Sequence, residues 1–376
     1  MKKPAQLIAL ALGCLGVIAG LARSAPLPPV ALGPPQIVAT INPKMGIHTR
    51  LTDEVEAWKI QYTLQLARQM GTPWVVEYFP WAYHEKFPGL YNWGHSDLVI
   101  NHARQQGLTL IARLGFVPAW TRPSNSATSY LSPQNYSRFG DYVYAFVKRY
   151  GQKVHYIIIW NEPNLALEWG FQPVDPAAYT QLLTVAYRRA KEADPTVNVL
   201  GGALAPSLAP PGDEFAMDDL RYLQQMLNAG AGEVMDGLAV HAYGWVYPPT
   251  DPPAPNAVNF RRVELARQIL VDNGYGALPI HITEGGWNDH PRWTRAVPPA
   301  RRIEYTVQAY RMAGDWPWLK SISLWAFRYP RPANTYLDYF TFVTPEFVPK
   351  PIYVEVQRYA RGQTTVSPGA LPEEAP

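Results

Sequence analysis

Short apolar segments alternate with longer segments of helical periodicity along this 376-residue chain. The short segments are rich in Val, Ile and Leu and mostly lack an alternation of polar residues, which is typical of strands buried on both faces of a parallel sheet. The eight predicted strands cover residues 44–48, 74–78, 108–113, 154–159, 197–200, 237–241, 279–284 and 322–325. Eight strands that alternate with helices predict an α/β fold, a single-domain (β/α)8 TIM barrel.

The predicted barrel covers residues 41–363, and this length fits one barrel domain with insertions. The alternative is an open, doubly wound sheet, but no glycine-rich phosphate-binding turn follows the first strand. The first helix is predicted over 53–70, with Asp53 and Glu56 as a capping box and Gly71 just past its end.

The two ends of the chain differ in composition from the barrel. Lys2 and Lys3 precede an apolar run over 7–22, so residues 1–25 are interpreted as a signal peptide or as an uncleaved membrane anchor. Cys14, the single cysteine, lies inside this run, and the remaining chain cannot form a disulfide. Residues 26–40 are predicted to be a proline-rich linker and 364–376 a disordered tail. An exported protein, extracellular or in the cell envelope, is expected.

Charge and composition exclude several classes of function. The formal net charge of +3 comes entirely from Lys2, Lys3 and Arg23, which leaves the rest of the chain neutral and without a basic surface for nucleic acids. The eight histidines lack metal-ligand spacing, so neither a metal nor another cofactor is expected. Aromatic residues make up 13% of the chain, which suits the stacking of sugar rings. A monomer is expected.

A glutamate follows an apolar strand at two places. Glu162 follows strand 154–159 and precedes Pro163, which ends the strand ladder. Glu284 ends strand 279–284 in the same way and is followed by glycines. About three βα units separate the two, so their side chains are expected to face each other across the carboxyl end of the barrel, where the catalytic groups of this fold lie.

A facing pair of carboxyl groups is what glycoside hydrolysis requires. One carboxyl donates a proton to the leaving oxygen, and the other acts as a nucleophile or as a base. The physical argument alone does not assign the two roles. It requires only that the environments of Glu162 and Glu284 differ.

Three motifs together resemble those of clan A glycoside hydrolases, the retaining (β/α)8 enzymes, and most of all the cellulase-like and xylosidase-like members of families 5 and 39. The motifs are Asn161-Glu162-Pro163, His241-Ala242-Tyr243 and Thr283-Glu284-Gly285-Gly286-Trp287. The resemblance covers nearly the whole chain after residue 25. It implies that Glu162 is the acid/base and Glu284 the nucleophile, with their carboxyls ~5–5.5 Å apart.

The resemblance also implies substrate-binding roles. Asn161 would contact the sugar 2-hydroxyl, Tyr243 would donate to the nucleophile, and His241 would join the same network. Trp325, at the end of the eighth strand, would form an aromatic platform under the sugar. Further platform candidates, on the loops after the third and seventh strands, are Trp120 and Trp287.

One position departs from the family pattern. Family members often carry on the second strand an arginine that supports the nucleophile, but Val76 stands there in this chain. Arg113, on the third strand, could supply the missing charge. Glu77 is also unusual and has two interpretations, a buried structural acid or a sugar ligand.

These observations predict a retaining hydrolase of β-O-glycosidic bonds in a poly- or oligosaccharide. Aromatic loops over 120–133 and 243–259 favour the walls of a groove, and hence endo-action. A transglycosylase on the same fold and a glycan-binding barrel without activity are the alternatives. The sequence does not define the sugar or the linkage.

Overall fold

Residues 34–363 are described by the structure, a computed structural model, and they contain a closed barrel of eight parallel strands in chain order. Each strand pairs in parallel with the next, and β8 pairs with β1. The strands are β1 (Met45–His48), β2 (Trp74–Pro80), β3 (Thr109–Gly115), β4 (Tyr156–Ile159), β5 (Asn198–Leu204), β6 (Gly237–Tyr243), β7 (Ile280–Gly286) and β8 (Leu319–Leu324). The predicted TIM barrel is confirmed, and the doubly wound alternative is wrong because the sheet closes.

Helices follow the strands around the barrel. They are α1 (Ala57–Met70), α2 (Trp81–His84), α3 (Gly94–Gln105), α4 (Tyr136–Tyr150), α5 (Pro176–Ala193), α6 (Asp219–Asn228), α7 (Arg262–Asp272), α8 (Pro299–Asp315) and α9 (Pro351–Ala360). Short 3-10 helices lie at Ala119–Thr121, Pro133–Asn135, Ala231–Val234 and Tyr336–Phe340.

The first helix shows where local sequence signals succeed and fail. Gly71 has a φ of 91° and its amide donates to the last carbonyls of α1, as predicted for the residue past the helix. The predicted capping box is wrong, because α1 begins at Ala57 and the Glu56 side chain caps nothing. Asp53 lies before the helix and pairs instead with Arg50 at 3.3 Å.

Apolar side chains fill the inside of the barrel, as in other barrels of this type. One buried cluster comprises Trp74, Val76, Ile111, Ile158, Leu200, Ala203 and Ala239. Val76 therefore belongs to the barrel core. The filled interior leaves the carboxyl ends of the strands as the place where a cleft forms.

The described chain is tied to the barrel from near its first residues. The amide of Gln36 donates to the carbonyl of Gln105, and that of Ile41 to Ala360, each at 2.8 Å. Residues 36–40 of the predicted linker are thus part of the folded unit. The predicted leader over 1–25 and tail over 364–376 lie outside the described residues. Within 34–363, no helix is both long enough and apolar enough to span a membrane.

Candidate active site

A cleft of about 1000 Å³ opens at the carboxyl ends of the strands. Residues at or just beyond the ends of all eight strands line it: His48, Tyr78, Arg113, Glu162, Ala205, Tyr243, Glu284 and Trp325. The cleft therefore brings together side chains that are distant in sequence, which is the usual place for the active site of a barrel enzyme.

Glu162 is turned towards the cleft by an unusual stretch of backbone after β4. Trp160 and Glu162 have φ values of 73° and 42°, in the left-handed region that residues other than glycine rarely occupy. Amide hydrogen bonds to neighbouring strands stabilise this turn, from Trp160 to Leu114 at 2.9 Å and from Glu162 to Ala203 at 3.0 Å. Strained backbone of this kind is often found at functional sites.

The carboxyl groups of Glu162 and Glu284 meet in the cleft. One oxygen of each lies within 4.8 Å of the other and of a ring nitrogen of His241. For comparison, the two carboxyl groups lie ~5–5.5 Å apart in retaining glycosidases and ~6.5–9.5 Å apart in inverting ones.

Glu284 lies in a cationic and hydrogen-bonding environment. Arg113 Nη1 is 2.5 Å from its Oε1, and the hydroxyl of Tyr243 donates to its Oε2 at 2.9 Å. Burial by itself raises the pKa of Glu284, but His241, Arg113 and His48 together outweigh burial and lower this pKa well below the usual range. Burial and Arg113 in turn lower the pKa of His48 far below its usual value, so Arg113 supplies the permanent positive charge.

His241 connects the two carboxyl groups. Its Nδ1 lies 2.6 Å from Glu162 Oε1 and 3.7 Å from Glu284 Oε2. Its Nε2 lies 3.5 Å from Nη2 of Arg113. The short contact of Nδ1 with Glu162 orients that carboxyl group.

The position of Arg113 is explained by the register of β2 and β3. Arg113 pairs with Tyr78, and Val76 pairs with Ile111 one layer deeper in the barrel. The arginine therefore reaches Glu284 from the third strand, at the level of the cleft. Val76 belongs to the core, and within the described residues the arginine contact with Glu284 comes from β3.

The carboxylate of Glu77 stabilises the loop that follows β1 by accepting hydrogen bonds from it. Its Oε2 accepts from the Thr49 hydroxyl and the Leu51 amide at 2.6 and 2.7 Å. Its Oε1 accepts from the amide and hydroxyl of Thr52, at 3.2 and 2.8 Å, and from the amide of Tyr78 at 2.9 Å. Of the two interpretations of Glu77, these contacts favour the structural acid.

The predicted aromatic platforms divide into one in the cleft and two outside it. Trp325 lines the cleft, with its ring centroid 4.5 Å from that of His48. Trp120 and Trp287 do not line it, because their indole N–H groups donate to the backbone carbonyls of Glu85 and Tyr247 and their rings pack against other aromatic side chains. The aromatic residues that line the cleft in their place are Tyr83, Phe116, Trp245, Trp293, Tyr336 and Phe340.

Sequence reasoning missed Glu168, a third acid in the cleft. Burial, followed by the charges of Glu162 and Glu284, raises the pKa of Glu168 to about 7, and a hydrogen bond from Asn161 opposes this shift. The Oδ1 of Asn161 is buried and has no hydrogen-bond partner among the described residues, so it is available to a substrate hydroxyl. No motif marks Glu168, which lies in a loop of ordinary composition.

The cluster of Glu162, His241 and Glu284 has donor atoms that could hold a metal ion. Histidine spacing could not reveal this set, because its members come from three different strands. Two contacts oppose a cation: the Arg113 guanidinium lies against Glu284, and Glu162 is hydrogen bonded to His241. The donors fit a hydrogen-bonded pair of carboxyls better than a metal centre.

Similarity to known proteins is found at the level of structure. No protein-family model and no curated protein matches the sequence. A family 39 glycoside hydrolase from the gut symbiont Bacteroides cellulosilyticus WH2 matches with a TM-score of 0.68 and 21% identity, over 87% of this chain and 65% of that chain. The chain has the fold of family 39 glycoside hydrolases. It spans just under two thirds of the length of this relative.

Two further structures show the same fold. A GH5_18 protein from Streptomyces cattleya, solved in complex with GlcNAc, matches with a TM-score of 0.64 and 15% identity, over 89% of this chain and 83% of that chain. A monomeric β-xylosidase from Caulobacter crescentus CB15 matches with a TM-score of 0.60 and 19% identity, over 86% and 69%. The resemblance to families 5 and 39 that the motifs predicted is thus confirmed for the fold.

Proposed function

We propose that this protein is a retaining glycoside hydrolase in which Glu162 is the acid/base and Glu284 the nucleophile. The observation that carries the proposal is the unequal surroundings of two carboxyls that lie within 4.8 Å of each other. Arg113 and Tyr243 bind Glu284, and His241 contacts Glu162. These contacts hold Glu284 as the anion that attacks carbon, and the resemblance to clan A glycosidases supports the proton-transfer role of Glu162.

The reaction follows from these positions in two steps. In the first, Glu284 forms an ester bond to the anomeric carbon as the glycosidic C–O bond breaks, and Glu162 transfers its proton to the departing oxygen. In the second, Glu162 takes a proton from a water molecule, whose oxygen bonds to the anomeric carbon as the ester to Glu284 breaks. Both carboxyls return to their starting states, and the configuration of the sugar is retained.

The lining of the cleft favours a substrate with several sugar units. Trp325 provides an aromatic face, and Asn161 offers an unpartnered oxygen to a hydroxyl group. The aromatic residues that line part of the cleft support endo-action on a poly- or oligosaccharide. We also propose that the protein acts as a monomer and, from the composition of residues 1–25, that it is secreted or anchored in the cell envelope.

Two experiments test this function. Purified protein is screened against a panel of p-nitrophenyl β-glycosides and polysaccharides, and the first-formed anomer is read by NMR; retention is expected. The protein is then treated with the matching 2-deoxy-2-fluoro glycoside, which is expected to label Glu284 and to leave Glu284→Gln unlabelled. An inverted product, or a label on another residue, would overturn the assignment.

The alternatives have distinct outcomes in the same experiments. A transglycosylase transfers the sugar to an added acceptor in preference to water, because the second step then uses a hydroxyl of the acceptor. A glycan-binding barrel without activity releases no product from any substrate of the panel, although it retains affinity for the glycan.

A further inference from the structure

The side of the cleft that carries Glu162 is built mainly from aliphatic side chains. Five residues of the loops after β4 and β5 line this side, and we call them the acid-side wall: Leu165, Leu167, Ala205, Pro206 and Leu208. Leu167 and Leu208 are 60% and 42% exposed. Exposed leucines that line a reaction cleft require an explanation. An apolar ligand that covered them would remove apolar surface from water, which is favourable.

The acid-side wall is a fixed part of the fold. The amide of Leu165 donates to the carbonyl of Glu162 at 2.9 Å. The buried side chain of Asn164 joins the two loops, donating to the carbonyl of Ala205 at 2.8 Å and accepting from its amide at 2.9 Å. The wall therefore keeps its place beside the acid whether or not a substrate is bound.

Aliphatic side chains outnumber polar ones on this wall. Ser207 and Glu168 also line the cleft from these two loops, but the Ser207 hydroxyl accepts from the amide of Ala209 at 3.2 Å and Glu168 is hydrogen bonded to Asn161. The other sides of the cleft carry the guanidinium groups of Arg50 and Arg295, whereas the hydroxyls of Thr49, Thr52 and Tyr243 donate to Glu77 and Glu284. A sugar needs hydrogen-bond partners for its hydroxyls, and binding sites place such partners where the ligand is polar.

The mechanism places a different part of the substrate on each side of the cleft. The acid protonates the leaving oxygen, so the leaving group must lie next to Glu162. We propose, on the basis of the hydrolase chemistry above but in place of endo-action, that the leaving group is an apolar alcohol, an alkyl or aryl aglycone that packs on the acid-side wall. The glycan then lies on the polar and aromatic side, with Trp325, and the cleft cuts at the bond that joins the glycan to its apolar carrier.

The apolar surface continues beyond the cleft. The amide of Ala166 donates to the carbonyl of Phe215 at 2.8 Å, and that of Phe171 to the carbonyl of Ala166 at 2.6 Å. Both phenylalanine side chains are exposed. Exposed aromatic side chains therefore lie on the same two loops that carry the acid-side wall.

The test compares methyl and octyl β-glycosides of the sugar that the p-nitrophenyl panel identifies. The two alcohols are similar leaving groups, so the ratio of their kcat/KM values measures contact with the alkyl chain. We expect the octyl glycoside to have a kcat/KM at least about tenfold higher, and the double variant Leu167→Ser/Leu208→Ser to reduce this ratio roughly tenfold. Fluoro-glycoside labelling of Glu284 in the variant checks that its active site is intact.

The control is Leu98→Ser, because Leu98 is 38% exposed on the outer helix α3 and does not line the cleft. It is expected to leave the ratio unchanged. A ratio near one, or a disaccharide of the same sugar that is cleaved faster than the octyl glycoside, overturns this inference and leaves the hydrolase function standing. Absence of release from every glycoside overturns both.

Discussion

Arg113 Nη1 lies 2.5 Å from Glu284 Oε1, although the two residues are 171 positions apart in the chain. The contact gives one of the two catalytic candidates a permanent positive partner. Glu162 has instead a hydrogen bond with His241. The chemical difference between two residues of the same type is therefore set by their neighbours.

Replacing Arg113 is expected to change the pH dependence of catalysis. In Arg113→Met, the pKa of Glu284 rises because burial is no longer opposed by this charge, so Glu284 is protonated and inactive up to a higher pH. The acid limb of the kcat/KM profile should move up by about 1–2 pH units, and kcat/KM at neutral pH should fall roughly 100-fold. Arg113→Lys keeps the charge and should move the limb less. An acid limb that stays in place would show that Arg113 does not control Glu284.

Replacing Glu162 is expected to affect substrates according to their leaving groups. Glu162→Gln cannot donate a proton, so hydrolysis of alkyl glycosides should fall at least about 1000-fold. Glycosylation by a 2,4-dinitrophenyl glycoside, whose leaving group needs no proton, should fall far less. Pre-steady-state release of dinitrophenol measures this step. Equal losses on both substrates would contradict the role of Glu162.

Glu168 is expected to make stability depend on pH. Its pKa is raised from 4.5 to about 7 in the folded protein, so the fold binds this proton more tightly than the unfolded chain does. Its contribution is fully present below pH ~4.5 and is lost as the pH rises through ~7, by up to about 3 kcal/mol. Glu168→Gln should remove this part of the dependence. Urea unfolding of both proteins between pH 4.5 and 8 measures it, and parallel curves would disprove the shift.

Glu77 is expected to matter for stability through the loop after β1. Glu77→Gln replaces one acceptor oxygen by a donor that faces amide and hydroxyl donors, and the expected cost is about 2–4 kcal/mol of unfolding free energy. Glu355→Gln is the matched control, since Glu355 forms only a surface pair with Arg358 and should cost less than about 0.5 kcal/mol. Similar urea midpoints for the two variants would show that the Glu77 network contributes little.

Local patterns determined the larger features of this protein. Apolar runs gave the strands, their alternation with helices gave the closed barrel, and Gly71 was correctly placed after α1. The pattern of an apolar strand followed by a glutamate placed Glu162 and Glu284 at the same end of the barrel. These features could be predicted because each depends on residues that are neighbours in the chain.

Other features depend on contacts between residues far apart in the sequence, so local patterns could not predict them. Trp120 and Trp287 lie on the predicted loops, but packing turns their rings away from the cleft. Glu168 has no motif, and its environment depends on Glu162 and Glu284. The predicted capping box is absent because the helix begins at Ala57, four residues after Asp53.

The sequence by itself determined the type and order of the elements and the positions at which chemically active residues end the strands. Only the tertiary structure decided which of these residues touch, that Arg113 serves Glu284, and that an aliphatic wall stands beside Glu162. The reason is that chain periodicity fixes the direction of a side chain within its own strand. Strand register and barrel closure, which involve residues far apart in sequence, fix the distances between strands on which the chemistry depends.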